Sequence, residues 1–225
     1  MVRIAKNGRI AVAAVLIAAV LLLLLLSGAQ AGSPTLSAEE CYRNSAESLL
    51  YLRSYYKSGG LKTTGSGFVV SESGLVVTAA HVIKGGDKIT AVAEDGSERI
   101  LTLVQSNEET DLAFLRLPEG GQRPLKLASR TPNPGAVVRA MGYPIKGTGI
   151  ITEGLVASAS AVVSGKSRML VTCDIVSGMS GGPILNECGE VVGVVSGSVR
   201  TMTGIHLSVL SDELYSAADV EKSTE

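Results

Sequence analysis

Ser177-Gly178-Met179-Ser180-Gly181-Gly182-Pro183 is a glycine-rich bend that sets one hydroxyl among residues free to take unusual backbone angles. Gly178 lies two residues before Ser180, so the Gly178 and Ser180 amides can converge on one point and stabilise a developing oxyanion, as pre-aimed donors do in acyl transfer. Gly181 and Gly182 leave room for a substrate backbone to come close. The same residues would also serve as an ordinary tight turn between the apolar runs Met169-Leu170-Val171-Thr172 and Val191-Val192-Gly193-Val194-Val195. What decides between nucleophile loop and turn is whether a base and its orienting acid occur elsewhere in the chain.

The base candidate is His81, one of two histidines, in Val76-Val77-Thr78-Ala79-Ala80-His81-Val82-Ile83. An imidazole titrating near neutrality can take a serine's proton and return it to a leaving amine. The acid candidate is Asp111, in Glu109-Thr110-Asp111-Leu112-Ala113-Phe114-Leu115, at the entry to an apolar run. A carboxylate there can accept the second imidazole N–H and hold the tautomer. Each residue has an ordinary structural role open to it, a core histidine and a turn aspartate. Together, in the order His, Asp, Ser, they support one another.

Four segments, Gly65-Ser66-Gly67-Phe68-Val69-Val70, Thr78-Ala79-Ala80-His81-Val82-Ile83, Thr110-Asp111-Leu112-Ala113-Phe114-Leu115 and Gly178-Met179-Ser180-Gly181-Gly182-Pro183, stand in the order found in trypsin-like serine proteases. Over about Lys62 to Leu210 the chain resembles that family, most closely its bacterial HtrA-type branch. The resemblance implies two six-stranded antiparallel barrels, with His81 and Asp111 in the first and Ser180 in the second. It also implies a Ser180-His81-Asp111 triad, a Gly178 and Ser180 oxyanion hole, polypeptide substrates and no cofactor. The chain departs from the branch in two respects: Met179 stands where Asn is frequent, and only about 15 residues follow Leu210, too few for the usual PDZ domain. For specificity, Asp174 stands six residues before Ser180, where trypsin-like enzymes carry the acid that pairs with a basic P1 side chain. It equally matches a shortened loop-bracing pair with Thr172. Val195, Ser196 and Gly197 resemble the strand edge that binds substrate backbone by β-addition. A short apolar P1 side chain is the HtrA-type expectation, and His206 is either a pocket residue or a structural one.

Composition agrees with a mostly β chain. Among 225 residues are 26 Gly, no Trp and two Phe, with many Val and Thr, as expected of short strands joined by glycine turns. Phe68–Val70 and Leu75–Thr78 flank a Ser71–Gly74 turn, followed by strands at Ile89–Ala93, Ile100–Gln105 and Leu112–Leu117. The Pro-, Gly- and Arg-rich stretch Pro118–Pro134 connects the halves, and Val137–Met141, Ile151–Ser158, Met169–Thr172, Val191–Ser196 and His206–Val209 complete a second set. The expected organisation is a leader over 1–31, an N-terminal helical extension over 32–60, a protease domain over 61–210 with barrels at about 61–125 and 135–210, and a C-terminal helix and tail over 211–225. The N-terminal helix, from Ser37 to about Lys57, starts at a Ser37/Glu40 capping box, and the closing helix runs from Ser211 to Ala218.

Arg3, Lys6 and Arg9 precede an uncharged run over residues 10–26, then Ala29-Gln30-Ala31, a signal-peptidase-like site. The run is either a cleaved leader or a membrane anchor, and both outcomes place the rest of the chain in the periplasm or outside the cell. Without those three basic residues the balance is 17 basic to 21 acidic, which leaves no electrostatic footprint for nucleic acid. Cys41, Cys173 and Cys188 suit an oxidising compartment, and Cys173 and Cys188 bracket the Ser180 loop. A disulfide between them would add about 3 kcal/mol, and two free thiols are the alternative. No His or Cys lies at metal-ligand spacing beside them. The sequence thus reads as an exported serine endopeptidase of undetermined oligomeric state. The alternatives are a protease-fold binding module or a protease latent until a partner or conformational change activates it.

Overall fold

The computed structural model describes residues 35–93, 95–118, 121–198 and 202–214. Twelve strands close into two six-stranded antiparallel barrels. The first is built from β1 (Leu49–Tyr55), β2 (Leu61–Val69), β3 (Leu75–Ala79), β4 (Lys88–Val92), β5 (Glu98–Asn107) and β6 (Leu112–Arg116), in the order β1-β2-β3-β6-β5-β4. The second contains β7 (Val137–Ile145), β8 (Thr148–Val163), β9 (Lys166–Val171), β10 (Pro183–Leu185), β11 (Val191–Ser198) and β12 (His206–Leu210), in the order β10-β11-β12-β9-β8-β7. The expected β2–β3 hairpin is present, with Phe68 opposite Val77. The connector between barrels is stitched to both, through Leu125 N–H to Val69 C=O (2.8 Å) and Ala128 N–H to Val191 C=O (2.9 Å).

The helical reading of Ser37 to Lys57 requires correction. The capping box is there, with Ser37 N–H on Glu40 Oε2 (2.9 Å) and Glu40 N–H on Ser37 Oγ (3.2 Å), but the helix it starts, α1, covers only Ala38–Ser45. A 3₁₀ turn at Ala46–Ser48 follows, and Leu49–Tyr55 is the first barrel strand. The barrel therefore begins at Leu49, not near residue 61. The apolar stripe misleads because both faces of β1 are buried, which hides the period of two. Leu50 and Leu52 pack with Val69, Val76, Leu101 and Leu115 inside the first barrel. Leu49 and Tyr51 join Phe68, Val77, Met141, Tyr143, Leu185 and Val194 in a cluster drawn from both barrels. A third cluster, including Val138, Val156, Met169, Val171, Ile184 and Val195, fills the second barrel. Each strand at the junction thus divides its side chains between its own barrel and the other one.

The possible Cys173–Cys188 disulfide is also corrected: none of Cys41, Cys173 and Cys188 is disulfide-bonded among the described residues. Cys173 is fully buried in the second-barrel core with Sγ 3.4 Å from Val138 C=O, whereas Cys188 belongs to the β10–β11 turn, its amide donating to Asn186 Oδ1 (2.9 Å). The two side chains are therefore committed to different parts of the barrel. The leader and membrane-attachment readings for residues 1–31 lie outside the described residues, as does the closing helix beyond Leu214. Among the described residues no helix is long and apolar enough to cross a membrane.

Candidate active site

Asp111 sits where the chain turns into β6, at a backbone angle (φ 65°) that L-residues seldom adopt and Asp tolerates better than most. That conformation turns its carboxylate toward α2 (Ala80–Ile83), the single turn that follows β3. His81 N–H donates to Asp111 Oδ1 (3.0 Å), and His81 Nδ1 lies 3.1 Å from Oδ1 and 3.0 Å from Oδ2. Ala80 N–H also donates to Asp111 C=O (3.1 Å), so the backbone fixes the acid against the histidine independently of the side chains. Burial alone would push the Asp111 carboxyl up. Hydrogen bonds from His81 and Ser196 and the His81 charge outweigh it and hold the group below its ordinary range. An ionised Asp111 carboxylate can only accept, so a ring held against it donates from Nδ1 and turns Nε2 away. The His81 side chain is 45% exposed against 14% for Asp111, so the ring has one protected edge and one reachable edge.

The Ser180 loop is fixed against β2 of the first barrel. Ser66 N–H donates to Ser180 C=O (2.8 Å), Ser66 Oγ donates to Gly178 C=O (2.8 Å), and Tyr143 N–H donates to that hydroxyl (2.8 Å). One buried serine of β2 thus ties the loop to β7. On the other side, Gly181 N–H donates to Val195 C=O (2.8 Å) and Val195 N–H to Gly182 C=O (2.9 Å). Gly178 has φ +94°, and a Cβ there would come 2.8 Å from Pro144 Cα, so no other residue fits without moving backbone. With the Gly178 carbonyl turned to Ser66, neither the Gly178 nor the Ser180 amide is spent on an acceptor among the described residues. Ser180 Oγ forms no hydrogen bond with His81 in this resting arrangement, and such contacts often tighten only when substrate binds.

The remaining expected site residues divide. Ser196 is not simply a substrate-edge residue, because its hydroxyl donates to Asp111 Oδ2 (2.5 Å) and forms a third support for the acid. Sequence reasoning missed that role, as it missed Ser66, since a serine on a strand carries no signal for the partner across the barrel interface. Val195 spends both backbone groups on Gly181 and Gly182 of the Ser180 loop, so the open edge of β11 is Ser196–Ser198, past the last β10 pair at Val194. Asp174 is exposed, with its carbonyl held by Thr152 Oγ1 (2.7 Å), which does not make it the floor of an enclosed basic-P1 pocket. His206 is half-buried on β12 with Nδ1 unpartnered among the described residues. No cluster of three metal-ligating side chains occurs among the described residues.

Two closed antiparallel barrels packed on a shared core define the chymotrypsin fold, and Ser66 of the first barrel ties down the Ser180 loop of the second. Residues 65–194 match the trypsin-like peptidase domain, and the chain belongs to that family. It is similar to serine protease HTRA1 of Xenopus laevis, 32% identical over 171 residues that make up 71% of this chain and 36% of that protein. It is also similar to serine endoprotease DegS of Escherichia coli, 34% identical over 140 residues, 60% of this chain and 39% of that one. The chain thus spans little more than a third of either relative's length. Among solved structures, the serine endoprotease from Yersinia pestis superposes with a TM-score of 0.72 at 26% identity, covering 83% of this chain and 66% of that chain. The active form of a protease from M. tuberculosis gives a TM-score of 0.71 at 26% identity, covering 78% and 81%.

Proposed function

We propose that the chain is an exported serine endopeptidase in which Ser180 is the nucleophile, His81 the general base and acid, and Asp111 the residue that orients and charges His81. Ser180 Oγ attacks the scissile carbonyl while His81 Nε2 takes its proton. The Gly178 and Ser180 amides receive the developing oxyanion. His81 then protonates the leaving amine, and water, activated by the same imidazole, releases the acyl group from Ser180.

The observation that carries this reading is the two-point hold of Asp111 on His81. One carboxylate takes both the backbone N–H and the ring Nδ1, which favours a base aimed outward at Nε2. The unspent Gly178 and Ser180 amides add support. Export rests on the basic and apolar pattern of residues 1–31. Polypeptide substrates rest on the proteases to which the chain is similar. The test is hydrolysis of unfolded casein by wild type and by Ser180→Ala. Activity in wild type, reduced about a millionfold in the variant, is expected. A folded wild type that never cleaves casein across neutral pH would favour a binding module or a latent protease instead.

A further inference from the structure

A cleft of about 350 Å³ lies against His81 and Asp111. Its remaining walls come from Lys84 and Glu108 of the first barrel, from the β8–β9 turn of the second, and from Ser196. The charge in it is unbalanced. Lys84, Lys166 and Arg168 line it, and the one carboxylate besides the engaged Asp111 is Glu108. Glu108 is already used: its Oε2 takes Lys84 Nζ (2.7 Å), and its backbone carbonyl takes Lys166 Nζ (2.9 Å). Lys166 and Arg168 are left without a carboxylate partner among the described residues.

Arg168 is the sharper anomaly. It is 5% exposed, and among the described residues its guanidinium donates from Nη1 to Ser167 C=O (2.9 Å). A guanidinium taken this far out of water without a counter-charge is expensive, and Arg168 lines the cleft. The turn that delivers it is tightly shaped, with Ser164 at φ 51° and Gly165 at φ 78°. The Lys84–Glu108 pair, by contrast, is solvated on both sides and contributes little to selectivity.

The open edge of β11 beyond Val195 sets where a substrate side chain falls. An extended peptide adding to Ser196–Ser198 with its scissile carbonyl at Ser180 runs past Ser196, and Ser196 and His81 both line this cleft. We propose that the cleft is the P2 subsite and that it selects an acidic side chain, whose carboxylate reaches Arg168 and Lys166. This rests on the reading of Ser180, His81 and Asp111 as the catalytic set. Because the chain as a whole is slightly acidic, the preference arises from this local pair of cations and not from long-range steering.

The test is a set of peptides identical except for Glu, Gln or Lys at P2. Glu is expected to exceed Gln by about tenfold in kcat/KM, with Lys poorer still. The Glu-to-Gln ratio is expected to fall toward one in Arg168→Gln, to fall partway in Lys166→Gln, and to shrink with added salt. Lys166 is half-buried at the turn, so its variant keeps the test open if Arg168→Gln does not fold. Cleavage with equal rates for Glu and Gln, or a preference for Lys, overturns the subsite and leaves the peptidase intact. If no peptide is cleaved, the catalytic reading fails separately. Direct binding of the same three peptides to Ser180→Ala then judges the cleft alone, with equal affinity for Glu and Gln refuting it.

Discussion

Ser66→Ala tests how the oxyanion site is held. Ser66 is fully buried, and its hydroxyl accepts from Tyr143 N–H and donates to Gly178 C=O, each at 2.8 Å. Alanine removes both bonds while keeping the strand pairing and the Ser66 N–H to Ser180 C=O contact. Depriving two buried or half-buried backbone groups of this partner costs about 2–4 kcal/mol. At this chain length that lowers Tm by roughly 5–15 °C. The functional effect is distinct from the structural one. Without Ser66 Oγ, the Gly178–Met179 peptide loses its anchor, and the Gly178 backbone angles that aim the preceding Ser177–Gly178 peptide, which carries the Gly178 N–H, are no longer held at the oxyanion position. Complete loss of one donor costs about a hundred- to a thousandfold in kcat. Partial loss of that aim should therefore give about ten- to a hundredfold. The assay is kcat and KM on one peptide substrate well below the variant's Tm, alongside calorimetry. A Ser66→Ala protein with a lowered Tm but unchanged kcat would refute the positioning argument, because it would show Gly178 held by φ and packing alone.

Asp111→Asn should lower kcat by about ten-thousandfold, through loss of the His81 tautomer, with little change in KM. The same residue makes a pH prediction for stability. Its folded pKa is depressed below the ordinary 3.8, so its contribution is complete above that range and is lost as pH falls through the folded value. Urea midpoints should therefore show the wild-type advantage over Asp111→Asn shrinking from pH 6 to pH 3, and a constant difference would contradict the assignment. For the cysteines, a reductant should leave Tm unchanged, and all three thiols should titrate in denaturant. Burial pushes the Cys173 thiol up to about 11, so Cys173 should resist alkylation at pH 8 in the native protein. A mobility shift on reduction would restore the disulfide.

Much of the second barrel was legible because its strands are bounded by Gly and Pro and carry Val-rich runs. The two strands not anticipated failed for different reasons. β1 has both faces buried, so its Leu-rich run has no alternation to read. β10 is three residues beginning at Pro183, too short for any period. His81, Asp111 and Ser180 stood out because each sits in a local motif. Ser66 and Ser196 did not, because their roles depend on partners 112 and 85 residues away along the chain. The cationic cleft was invisible for the same reason: Lys84 and Glu108 come from one barrel and Arg168 from the other, and only closure of both brings them together.

The central claim is that Ser180 is the activated nucleophile. Its most direct measurement is reaction of the folded protein with a fluorophosphonate, followed by mass spectrometry of the digested protein to locate the adduct. The adduct is expected on Ser180 alone, absent in Ser180→Ala and strongly slowed in His81→Ala. Equal labelling of wild type and Ser180→Ala, or an adduct on another serine, would contradict the account.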